Sequence, residues 1–106
     1  MGDIFKALAD PTRRQILLMV SENPQNINLI KESFEMSRPA ISKHIKILQE
    51  SKLIEIRLDS SDGRQRNCYA QLEAMSEVKD YLMQLEKFWD QKLDGLGDFL
   101  NENKKL

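Results

Sequence analysis

The sequence predicts a mainly α-helical fold with one small β-hairpin, and three observations carry that prediction. Helix-start signals recur along the first half of the chain, at Asp10-Pro11, at Asn26 and at Ser37 with Pro39 close behind. Apolar residues recur at threes and fours up to Lys52, alternate with charged ones over Leu53–Leu58, and return to threes and fours after Glu73. The 106 residues, 41% hydrophobic and 31% charged, have the size and composition of one soluble globular domain spanning 1–106. A domain this short buries little more than half of the surface of its unfolded chain, so shared burial with a second copy is favoured.

Each element has its own local reason. Ile4, Phe5 and Leu8 lie on one face of a short helix ending near Asp10. Asp10 is placed to cap a second helix whose first turn accepts Pro11, because the missing N–H there costs nothing. That helix runs to about Ser21, with Ile16, Leu17, Met19 and Val20 inward and Thr12, Arg13, Arg14 and Gln15 at its wetter start; Asn23-Pro24 stops it. Asn26 caps a third helix with Ile27, Leu29, Ile30 and Phe34 on its apolar side, ending before Met36. Ser37 then caps a fourth, with Pro39 in the first turn and Ile41, Ile45 and Leu48 on one stripe. Leu53–Leu58 and Gln65–Gln71 read as the strands of a hairpin joined through Asp59-Ser-Ser-Asp-Gly63. From Glu73 the residues Val78, Tyr81, Leu82, Leu85, Phe88, Trp89, Leu93, Leu96, Phe99 and Leu100 define one long amphipathic helix, with a bend or break expected at Gly95 and Gly97.

Several classes are set aside early. No run of about 18 apolar residues is present and the first residues carry an acid within a short apolar stretch, which predicts a soluble, cytoplasmic protein without a membrane partner. Cys68 is the only cysteine, so no internal disulfide is possible, and a lone strand cysteine reads as a small buried hydrophobe rather than a redox sensor. With one His, one Cys and no Ser–base or paired-carboxylate arrangement, no catalytic residues are assigned and an enzyme is not expected.

Charge is unevenly placed. The net charge is -1, yet Ser37–Arg66 holds seven bases against four acids, and its first ten residues contain no acid. From Asn67 to Leu106 the balance reverses, with five bases against eight acids. A basic middle and an acidic tail imply one surface for an anion and another for something else.

Two short helices, a tight turn at Glu35-Met36 and a hairpin after the second helix form the layout of a winged helix-turn-helix, a three-helix core plus wing. With Ile41, Ile45 and Leu48 inward, Arg38, Ser42, Lys43 and Lys46 project outward as candidates for a duplex groove, with Ser37 and Pro39 at the helix start. The chemistry of these residue types suits a duplex, since Lys and Arg displace counterions from phosphates, N–H groups at a helix start hold phosphate oxygens, and Arg reaches guanine bidentately. Arg57, Arg64 and Arg66 on the hairpin are placed for the adjacent backbone or minor groove. His44, between Ile41 and Leu48 on the helical net, reads as a half-buried packing or hydrogen-bonding residue.

The segment Ile4-Phe-Lys-Ala-Leu-Ala-Asp-Pro-Thr-Arg-Arg-Gln-Ile-Leu17 resembles the opening of the ArsR-like (arsenical-resistance-repressor) family of winged-helix regulators. Ser37-Arg-Pro-Ala-Ile-Ser-Lys-His-Ile-Lys-Ile-Leu48, followed by Ser51-Lys-Leu-Ile54, is similar to that family's recognition segment and its exit into the wing. The resemblance covers about Ile4 to Ala70. It implies a homodimeric repressor of a palindromic double-stranded DNA operator, with N- and C-terminal dimerisation helices. On this chain those are Ile4, Phe5 and Leu8 at one end and Leu82, Leu85, Phe88, Trp89, Leu93 and Leu96 within 73–106 at the other. Many members sense metals through a Cys-x-Cys-like pair in the third helix or through His and acids in the last. Here Ile27–Phe34 contains no Cys or His and the terminal helix no His, so the chain resembles a metal-free subgroup and no metal or cofactor is expected. No small-molecule effector is assigned. The competing reading is a protein-interaction module that keeps the fold and holds its partner through the acidic, aromatic C-terminal helix.

Overall fold

A computed structural model describes residues 3–59, 63 and 65–104. It has two compact units, Met1–Met75 and Ser76–Leu106. The first contains α1 (Ile4–Leu8), α2 (Pro11–Glu22), β1 (Gln25–Asn26), α3 (Ile27–Glu32), α4 (Arg38–Glu50), β2 (Ile54–Leu58), β3 (Arg66–Ala70) and a closing 3-10 turn (Leu72–Met75); the second is α5 (Ser76–Lys104).

Side-chain caps start the helices. Asp3 accepts from the Phe5 amide at 2.9 Å, Asp10 from Thr12 and Arg13 at 2.8 and 3.1 Å, Asn26 from Asn28 at 2.8 Å and Ser37 from Ala40 at 3.2 Å. Each bond satisfies an amide that the first turn leaves unpaired. The end of α4 is equally defined. Lys52 N–H donates to Gln49 O and Leu53 N–H to Leu48 O, both at 3.0 Å, while Lys52 adopts φ 62°. This is a Schellman closure, and the residues that flank it, Leu48 and Leu53, are both fully buried.

Two sequence expectations about helix length are corrected. α3 ends at Glu32 rather than near Phe34, because the Ser33 hydroxyl donates to Leu29 O at 2.7 Å and the Ser33 amide is shared between Leu29 and Ile30 oxygens. With only one face of so short a helix covered, Ile27 and Ile30 are buried and Leu29, expected inward, is 55% exposed. α5 runs through Gly95 and Gly97 without a break, since two glycines at roughly 1 kcal/mol each do not outweigh the helix formers around them.

The sheet has the order β1-β3-β2, antiparallel throughout. Cys68 sits at its centre, opposite Ile56 on one side and Gln25 on the other, and is fully buried. β1 is too short to leave an alternation in the sequence; its backbone bonds to β3 define it. The Asp59 amide closes the hairpin onto Gln65 O at 2.8 Å. Ile16, Ile30, Ile41, Leu48, Leu53 and Cys68 form the fully buried centre of the first unit. Among the described residues, no helix is long and apolar enough to cross a membrane.

Candidate nucleic-acid interface

α4 is the element that orients the candidate contacts. Ile41, Ile45 and Leu48 are buried, so Arg38, Lys43 and Lys46 are turned to solvent and Ser42 lies half-buried at the edge of the face. Ser37 spends a lone pair on its cap and keeps its hydroxyl hydrogen as a donor. Pro39 is exposed in the first turn, where it removes no helix hydrogen bond. Arg38 lies 3.8 Å from Glu32, and Lys46 lies 3.9 Å from Glu50 one turn away. Both pairs are exposed, a setting in which ion pairs contribute about 0–1 kcal/mol, so a phosphate can displace either carboxylate.

A residue that the sequence reading placed merely at the wetter start of α2 holds α4 in position. Arg13 donates through Nε to Ala7 O at 2.7 Å and through Nη2 to Lys6 O at 2.9 Å, while its Nη1 lies 3.2 Å from His44 Nδ1. Guanidinium only donates, so His44 Nδ1 accepts and the imidazole proton sits on Nε2. Arg14 adds a bond to Leu8 O at 2.8 Å. The Asp10-Pro-Thr-Arg-Arg14 run therefore starts α2 with its acid and satisfies the last carbonyls of α1 with its bases. Burial pushes the Asp10 carboxyl up, but the Arg13 and Thr12 amide bonds, with the nearby Arg13 guanidinium, hold it below the usual carboxylate range. His44 is half-buried and hydrogen-bonded, as its place on the helical net predicts.

The wing divides its arginines. Arg57 is exposed on β2: its Nη2 donates to Glu55 at 2.8 Å and its guanidinium lies 4.5 Å from the centre of the Tyr69 ring. That hydrogen bond holds the Glu55 carboxyl low and the Arg57 guanidinium high, and Gln71 Nε2 donates to the same carboxylate oxygen. Arg57 and Glu55 pair because residues 55 and 57 share one face of β2, and both are exposed there, as the ion pairs of α4 are. Arg64 lies outside the described residues. Arg66 is exposed on β3 and lines a hollow of about 270 Å³ together with Ser42 and Lys46 from α4. The same hollow receives Lys31 from α3, which sequence reading missed because nothing local distinguishes it from any exposed helical lysine.

Of the expected interface residues, Ile4 is 6% exposed and lies in the core of the first unit. Phe5 is exposed, and Leu8 lines an apolar hollow of about 380 Å³ with Leu17, Leu18, Leu72 and Met75. Within α5, Leu82, Leu85, Phe88, Trp89, Leu93 and Leu96 are 46% to 63% exposed. Burial pushes the Cys68 thiol up to about 11, against a smaller opposing effect of Arg66, which keeps it from the thiolate that redox sensing needs. Among the described residues, no group of three or more His, Cys, Asp or Glu is placed to hold a metal.

A capped helix with an outward basic face, braced by two others and followed by a β-hairpin, defines a winged helix-turn-helix protein of the DNA-binding class. Residues 10–55 match the family described as bacterial regulatory protein, arsR family. The crystal structure of an ArsR family transcriptional regulator, RHA00566, superposes with a TM-score of 0.72 at 32% identity, covering 85% of this chain and 97% of that one. An ArsR-like transcriptional regulator from Rhodococcus sp. RHA1 gives a TM-score of 0.67 at 28% identity, covering 88% of this chain and 85% of that one. Among curated proteins, the transcriptional repressor SdpR of Bacillus subtilis is 41% identical over 54 residues, 51% of this chain and 60% of its own length. The chain belongs to the ArsR family of transcriptional regulators.

Proposed function

We propose that this protein is a homodimeric repressor that occupies a palindromic double-stranded DNA operator, with no enzymatic activity of its own. The observation that carries the reading is the division of α4: Ile41, Ile45 and Leu48 inside, Arg38, Lys43 and Lys46 outside. The basic face lies in the major groove and reads it through Arg38, while Lys43 and Lys46 neutralise phosphates. Two copies read half-sites about one duplex turn, roughly 34 Å, apart. The exposed apolar row of α5 supplies a surface that a second copy would cover, and Phe5 and Leu8 supply another on the first unit. Repression follows from occupancy of a promoter.

The same exposed row also favours a second reading, in which α5 holds a different protein and α4 is idle. Salt dependence separates the two. Selection from a random duplex library should enrich a palindrome, bound with a log–log salt slope of about -0.9 per phosphate neutralised. Arg38→Ala with Lys43→Ala should lose at least tenfold in operator affinity with the dimer intact by sedimentation; unchanged binding would remove α4 from the interface. Absence of any enriched duplex would favour the protein-partner reading.

A further inference from the structure

The hollow between α3, α4 and the sheet has a chemistry of its own. Three cations from three different elements open onto it, Lys31 of α3, Lys46 of α4 and Arg66 of β3, together with the Ser42 hydroxyl and the Gln49 amide. Among the described residues no carboxylate lines it, and its floor is apolar, formed in part by Ile45 and Ile56. Lys31 is half-buried and lines the same hollow. Among the described residues Lys31 and Arg66 form no ion pair, and Lys46 has only the exposed contact to Glu50 at 3.9 Å. Cations gathered around a hollow that no carboxylate lines favour an anion with several acceptor oxygens.

We infer that this hollow is the seat of a single backbone phosphodiester of the duplex, held jointly by Lys31, Lys46 and Arg66, with Ser42 and Gln49 as neutral donors. The inference rests on the DNA-binding reading above. Its geometric basis is the construction of a duplex, in which one sugar–phosphate strand separates the major groove from the minor. If α4 occupies the major groove and the hairpin lies over the adjacent minor groove, the strand between them must cross the junction of α4 with the sheet. That junction is where the hollow opens. Lys31 thereby becomes a contact from the helix before the recognition helix, fixing where the protein stands on the duplex without reading sequence.

The test uses the full chain and the selected duplex. Lys31→Gln should leave the thermal unfolding curve and the preferred sequence unchanged, weaken binding severalfold at physiological salt, and make the salt slope shallower by about 0.9. Lys31→Arg should restore both. A duplex carrying one neutral methylphosphonate at each backbone position in turn should reveal one position where Lys31→Gln and Arg66→Gln cause no further loss, because both act on the charge already removed. Wild-type affinity and slope for Lys31→Gln, with Lys43→Gln impaired in parallel, would overturn the seat and leave the DNA-binding reading standing. Mapping of Lys31 and Arg66 to different phosphates would overturn the shared site. Inorganic phosphate that displaces the duplex at constant ionic strength, with the effect lost in Lys31→Gln, would assign the hollow to free phosphate instead. No binding of wild-type protein to any duplex would overturn both readings together.

Discussion

α4 and α5 carry the same kind of amphipathic pattern and meet opposite surroundings. In α4 the apolar row Ile41, Ile45 and Leu48 is at most 4% exposed, closed at one end by the Ser37 cap and at the other by the Schellman bonds around Lys52. In α5 the row from Leu82 to Leu96 has the same spacing and stays about half exposed. The pattern determines which face of a helix avoids water, and says nothing of whether that face is covered from within the chain or by another molecule. For α4 the cover is α2, α3 and the sheet; for α5 a second copy is the reading we favour.

The comparison breaks most readily at Leu48. Truncation by Leu48→Ala should cost about 2–5 kcal/mol in chemical denaturation, because it empties a fully buried site and removes one side of the closure at Leu53. A loss below about 1 kcal/mol would mean that the interior of α4 is far less tightly packed than described. Next comes Trp89→Ala in α5, 61% exposed in the single chain. Under the homodimer reading it should raise the dimer dissociation constant at least tenfold in sedimentation, since a Trp anchor at an interface contributes about 2 kcal/mol or more. An unchanged dimer would show that the row of α5 is not where the copies meet.

Asp10→Ala probes the start of α2 and should cost about 0.5–2 kcal/mol near neutral pH. The sign with pH follows from its lowered carboxyl: the charged form is favoured in the folded state, so its contribution is present above the ordinary value of 3.8 and is lost as pH falls through the lower folded value. The gap between wild type and variant should therefore be constant from about pH 5 to 7, on the scale set by about 3.9 for a free Asp, and narrow in more acidic solution. A gap that widens in acid would contradict the capping geometry. The smallest effect is expected at Lys52, whose positive φ is strained for a residue with a Cβ. Lys52→Gly should stabilise the protein by up to about 1 kcal/mol, the relief of strain exceeding the added chain entropy. A loss of stability would imply that the lysine side chain holds the α4 end in some further way.

The sequence by itself determined what depends on near neighbours. Asp10-Pro11, Asn26 and Ser37 marked helix starts because a capping bond spans two or three residues, and the inward stripe of α4 was legible because the helical period is local. The alternation at Leu53–Leu58 gave away the wing for the same reason. Only the tertiary structure decided what depends on distant partners. β1 exists through its pairing with β3, Arg13 finds its role through His44 in another helix, and Arg57 meets Tyr69 across the hairpin. Lys31 and Arg66, far apart in sequence, meet Lys46 only because α3, α4 and the sheet fold onto one core. The physical reason is the same in each case: a side chain's own covalent neighbours set its conformation, while its ligands and counter-charges are delivered by packing of segments that sequence order keeps apart.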